Sequence, residues 1–64
     1  MHNKNNKNMY IKASKIKIFD KIILKDMKIK RVSAKQYEKD NIVLYFKDGS
    51  FNNFDLKEEI FVIS

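Results

Sequence analysis

Ile42-Val43-Leu44-Tyr45-Phe46-Lys47-Asp48-Gly49-Ser50-Phe51-Asn52-Asn53-Phe54 is the stretch that decides the fold. Its first five residues form an unbroken apolar run, four of them β-branched or aromatic, and such side chains suit a pleated, half-buried surface. Asp48-Gly49 then falls between two apolar runs. That pair marks a tight hairpin, and a two-residue loop needs φ > 0 at both central positions. On this reading Phe46 faces Phe51 and Val43 faces Phe54. The two pairs lie on opposite faces of the ribbon, so both faces carry apolar matter. A curled sheet can cover both faces, whereas a flat sheet has one core face.

The same pattern continues in both directions. Upstream, Lys39-Asp40-Asn41 reads as a turn. Ile29 to Tyr37 reads as one long strand whose apolar residues Ile29, Val32, Ala34 and Tyr37 switch parity twice. A bulge or sharp bend would restore the inward face, and small barrels curl at such points. Lys21-Ile22-Ile23-Leu24 predicts a short strand covered on both faces, with Lys25-Asp26-Met27-Lys28 as its hairpin turn. Met9 to Ala13 predicts the first strand, followed by a short, helix-like turn at Ser14-Lys15-Ile16. Lys17 to Asp20 then leads into the second strand. Downstream, Asp55-Leu56-Lys57-Glu58 has capping-box spacing and predicts one helical turn. Ile60-Phe61-Val62-Ile63 predicts a closing strand beside the first. Residues 1–8 are polar and low in complexity, which predicts a disordered basic arm ahead of a single domain over 9–64.

Composition agrees with strands. Ile, Val, Phe and Tyr total 20 of the 64 residues, against 9 for Ala, Leu, Met and Gln. No 11-residue window sustains a helical period. The expected architecture is all-β: five to six antiparallel strands in a small barrel or strongly bent sheet, with at most one helical turn. A domain this small has a thin stability margin, and a partner subunit or ligand is one source of more. Disulfides are excluded because there is no Cys, which fits a reducing, cytoplasmic setting. The one His, His2, leaves no basis for a zinc site. No apolar run reaches the length of a membrane span, and the first residues lack the apolar core of a secretory leader.

Ala13-Ser14-Lys15-Ile16-Lys17-Ile18-Phe19-Asp20-Lys21-Ile22 resembles the A-S-x-L-x-V-G-D-x-I opening of many SH3-like small barrels, with Phe19 standing where those barrels usually carry Gly. Leu44 to Ser50 resembles their distal hairpin, and Asp55 to Val62 their short turn and closing strand. The resemblance covers about fifty residues and implies a fold rather than an activity, since such barrels serve RNA binding, peptide binding, translation factors and phages.

Catalytic groupings are nearly absent. With no Cys, and no His past residue 2, nucleophile–imidazole pairs have no members. Asp20, Asp26, Asp40 and Asp48 all fall at predicted turns, where Asp bonds nearby backbone N–H groups. Glu58-Glu59 reads as a helix-start pair, and no Gly-rich phosphate loop exists. The chain is therefore expected not to be an enzyme and to need no cofactor or metal.

Charge carries more information. Residues 1–35 hold 11 Lys/Arg and 2 acids, whereas residues 36–64 hold 3 Lys and 6 acids. Lys, Asn and Ile make up 29 residues, a bias that A/T-rich codons alone would produce, but codon bias does not segregate charge along a chain. The candidate nucleic-acid-binding residues are Lys12, Lys15, Lys17, Lys21, Lys25, Lys28, Lys30, Arg31 and Lys35, with a compact patch expected at Lys28, Lys30 and Arg31. Tyr10 and Tyr37 are candidate base-stacking rings if exposed, with core or cross-strand packing the favoured reading of Tyr37. Arg31 is the only side chain offering a bidentate fork, so contacts to phosphates of RNA or single strands are expected, with little base readout. The alternative is a protein-interaction module that meets a partner through its charged face or an edge strand, or that pairs with a second copy of itself. Phages and mobile elements encode small proteins of this kind that bind a host protein.

Overall fold

The computed structural model describes residues 8–63. It is a six-stranded, wholly antiparallel sheet: β1 (Met9–Lys12), β2 (Lys21–Ile23), β3 (Ile29–Tyr37), β4 (Asn41–Phe46), β5 (Phe51–Asp55) and β6 (Glu59–Ile63). The order across the sheet is β1-β6-β2-β3-β4-β5, and β1 and β5 do not pair, so the sheet bends without closing. A single 3-10 turn, Ala13–Lys15, follows β1. Among the described residues there is no α-helix, and none that could cross a membrane. The expected arm at residues 1–8 lies, but for Asn8, outside the described residues.

The core is apolar throughout. Ile16, Ile22, Val32, Ile42, Leu44 and Val62 are its largest fully buried side chains, and no polar or charged residue is buried among the described residues. Alternation along the strands sends all of these but Ile16 inward, and Ile16 follows the 3-10 turn. The long β3 keeps its inward face by a register shift between Val32 and Ala34, the bulge its parity switches required. The segment after β1 is tied on by Ala13 N–H donating to the Glu58 carbonyl (2.7 Å) and Ser14 N–H to that of Leu56 (3.3 Å).

Three local expectations are corrected. The Asp48-Gly49 hairpin has three loop residues, Lys47 to Gly49, closed by Phe46 N–H to the Ser50 carbonyl and Gly49 N–H to the Phe46 carbonyl. Only Gly49 has positive φ. The ladder therefore pairs Tyr45 with Phe51 and Ile42 with Phe54, one residue away from the predicted register. That slip exchanges the faces of β5 and places Phe54 in the core opposite Ile42. Second, β2 is fully covered only at Ile22; Lys21 and Ile23 on its other face remain half-buried. Third, Asp55 to Glu58 is a turn and not a helix, and only half of the capping box forms: Asp55 N–H donates to the Glu58 carboxylate, but the Asp55 carboxylate accepts from Lys57 N–H and Glu58 N–H donates to the Asp55 carbonyl.

Candidate nucleic-acid interface

The register of β1, β6, β2 and β3 defines a sheet face turned away from the core. Residues paired across an antiparallel ladder point to the same side. Tyr10 pairs with Phe61, Phe61 with Ile23, and Ile23 with Ile29, which makes one apolar row across four strands. Tyr10 and Ile29 are exposed, Phe61 and Ile23 are half-buried, and the Tyr10 and Phe61 rings meet edge to face at 5.1 Å. Two residues along, a second row runs Ile63, Lys21, Arg31. It continues to Lys47, whose N–H donates to the Arg31 carbonyl (3.0 Å).

Lys21, Arg31 and Lys47 thus gather on the surface, and among the described residues none of them joins an ion pair. The Arg31 guanidinium donates to the Phe19 carbonyl (2.8 Å), which fixes one end of its side chain and sets the exposed Phe19 turn beside it. Beyond the apolar row, a groove of about 470 Å³ opens between Tyr10, Ile23, Met27 and Phe61, with Lys25, Glu58 and Glu59 at its rim.

The remaining candidate cations stand outside this row, although Lys12, two residues along β1 from Tyr10, shares the outer face. Lys30 sits on the opposite side of β3 from Arg31, paired with the buried Ile22, and its ammonium is taken up by the Asp48 carboxylate and the Ser50 hydroxyl. Lys28 lies at the end of the β2–β3 turn, with its carbonyl bonded to Leu24 N–H. The expected Lys28–Lys30–Arg31 patch is therefore not brought together, because neighbouring strand residues face opposite ways. Lys25 pairs with Glu58 (3.6 Å) and Lys12 stands opposite Glu59. Lys35 donates its ammonium to the Ile16 carbonyl (2.7 Å), with the charge 5.6 Å from the Tyr37 ring centre. The Tyr37 hydroxyl donates to the Ser14 carbonyl (2.8 Å), so Lys35 and Tyr37 both tie the 14–16 segment to β3. Lys15 and Lys17 are exposed, Lys17 opening the turn that carries Phe19.

Lys47 and Phe61 were not among the predicted contacts. Lys47 belongs to the acidic half of the chain, and only the β3–β4 pairing shows it beside Arg31. Phe61 reads as core in a closing strand, but β6 lies between β1 and β2 and exposes its odd-numbered side. No family model, no curated protein and no solved structure matches this chain. Its geometry therefore has to carry the functional argument.

Proposed function

We propose that this protein binds single-stranded nucleic acid, RNA included, across the outer face of β1, β6, β2 and β3, with little base readout. One observation carries the reading: the cationic row Lys21–Arg31–Lys47 runs beside the row Tyr10–Phe61–Ile23–Ile29 on one open face. Side chains two residues apart along a strand stand about 7 Å apart, which suits phosphates on one row with bases on the other. Phosphate contacts fix position and bring affinity through counterion release, and flat apolar side chains accept any base. The strand order β6-β2-β3-β4-β5, the bulged β3 and the short turn before β6 support an SH3-like reading of the five-stranded part, with β1 added at its edge.

Fluorescence anisotropy with labelled oligonucleotides of about 12 nucleotides, a span within the site size of small barrels, tests the proposal. Micromolar binding to single strands is expected, with log K falling against log salt at a slope of about −2 for three phosphates. The combined variant Lys21→Gln, Arg31→Gln, Lys47→Gln should lose most of that slope. Absence of binding at low salt, or equal preference for duplex, would reject the reading.

Among the described residues no strand pairs with the outer edge of β1, which favours a second reading, in which a strand of a partner protein adds to the sheet. Because Ala13 N–H points at β6, alternation turns the backbone groups of Tyr10 and Lys12 outward. A partner strand there would protect those two amides from hydrogen exchange and leave the side chains of Lys21 and Arg31 untouched.

A further inference from the structure

The two turns that bracket β2 each hold a large apolar residue in a conformation suited to glycine. Lys17 to Asp20 is a β-turn closed by Asp20 N–H to the Lys17 carbonyl (3.1 Å), with φ of 78° at its third residue, Phe19. That is the position which calls for Gly in a type II turn. Lys25 to Met27 is a three-residue hairpin loop, closed by Leu24 and Lys28, with φ of 71° at Met27. The β4–β5 loop supplies an internal comparison. It is closed by the same two backbone bonds, and at the corresponding position it has Gly49 at φ 92°.

Phe19 and Met27 are the only non-glycine residues with positive φ among those described. Both are also exposed, Phe19 by 63% and Met27 by 76%. A bulky side chain in this region strains the backbone, and burial ordinarily offsets such strain. Here neither side chain is in the core. Their place in the fold is specific: Phe19 lies beside Arg31, the middle member of the cationic row, and Met27 lines the groove at the far end of β2 with Ile23.

We infer that Phe19 and Met27 are ligand contacts that bound the two ends of the proposed nucleic-acid face, Phe19 by stacking on a base and Met27 by covering an apolar edge. This assignment rests on the single-strand reading above. It adds which residues close the face on either side of the two rows, and it explains why glycine is absent from two turns that suit it. The face then measures about 17 Å along β2 from one strained turn to the other at strand rise, with the cationic and apolar rows crossing it in between.

The test combines stability and affinity in the same variants. Phe19→Gly and Met27→Gly should keep Tm or raise it by about 3–5 °C, because glycine relieves the positive φ. Phe19→Gly should weaken single-strand oligonucleotide binding by about 5- to 50-fold, the range of one lost stacking contact. Met27→Gly should weaken it by a smaller factor, and Phe19→Tyr should preserve it. Phe51→Ala removes an equally exposed ring (61%) from β5, outside the four strands of the proposed face, where it leans on Tyr45, and should leave affinity unchanged. Unchanged affinity in Phe19→Gly, or a marked fall in Tm for either glycine variant, would overturn the assignment alone. Failure of the unaltered protein to bind any oligonucleotide would overturn the single-strand reading and this assignment with it.

Discussion

Asp48 accepts three hydrogen bonds at the tip of the β4–β5 hairpin: from the Lys30 ammonium, and from the Ser50 hydroxyl and amide (2.9 Å to the amide nitrogen). The Lys30 contact leads in holding its carboxyl well below the usual carboxylate range, with the Ser50 hydroxyl and amide adding to the effect. Each donor favours the charged form. The folded protein therefore stays deprotonated at Asp48 where the unfolded chain takes up a proton. That contribution to stability is complete above the ordinary Asp value near about 4. It fades as pH falls below that value toward the lower folded one. Asp48→Ala should lower Tm at neutral pH and narrow the Tm difference from the unaltered protein at pH about 2 to 3, where the unfolded-state carboxyl is protonated. An undiminished difference at that pH, measured by calorimetry, would show that the hairpin does not depend on this charge. The same side chain explains the register. Asp-Gly fits a two-residue loop, but with its carboxylate turned back onto Ser50 and across to Lys30, Asp48 keeps an ordinary φ and leaves Gly49 alone in the left-handed region.

At the scale of elements, what could be read from the sequence depended on which signals are local. The β3 bulge was legible because Val32 and Ala34 break alternation within one strand, and the pairing shifts between those two residues. The closing strand beside the first was legible from its apolar run and the turn before it. Hairpin loop length was not, since one residue of register depends on a side-chain bond to Lys30, 18 positions away. Tyr37 shows the same limit: in sequence packing against a neighbouring strand is favoured for it, yet the ring is exposed and its hydroxyl reaches Ser14 across 23 positions. Together with Lys35 it fastens the 14–16 segment to the long strand. Tyr37→Phe should cost about 0.5–1 kcal/mol in chemical denaturation, at the low end for a hydrogen bond because the site is open to water. Oligonucleotide affinity should stay the same; a loss of binding without a loss of stability would move Tyr37 from the frame to the interface.

For the molecule as a whole, net charge is +6, but its placement matters more than its sum. The rear half's carboxylates meet part of the front half's cations: Asp48 takes Lys30, Glu58 takes Lys25, and Glu59 stands opposite Lys12. What remains ungathered by acids on the outer face is the short row Lys21, Arg31 and Lys47, one of whose members comes from the acidic half. Charge segregation along the sequence does not give the members of this row, because strand alternation sorts neighbours such as Lys30 and Arg31 to opposite sides. Amide and side-chain NMR shifts of isotope-labelled protein, followed while a single-stranded oligonucleotide is added, test this most directly. The account predicts that Phe19, Lys21, Arg31, Lys47, Tyr10 and Phe61 respond together while Asn52 and Asn53 on β5 stay silent. Shifts centred on β5, or a uniform response spread over every lysine, would contradict it.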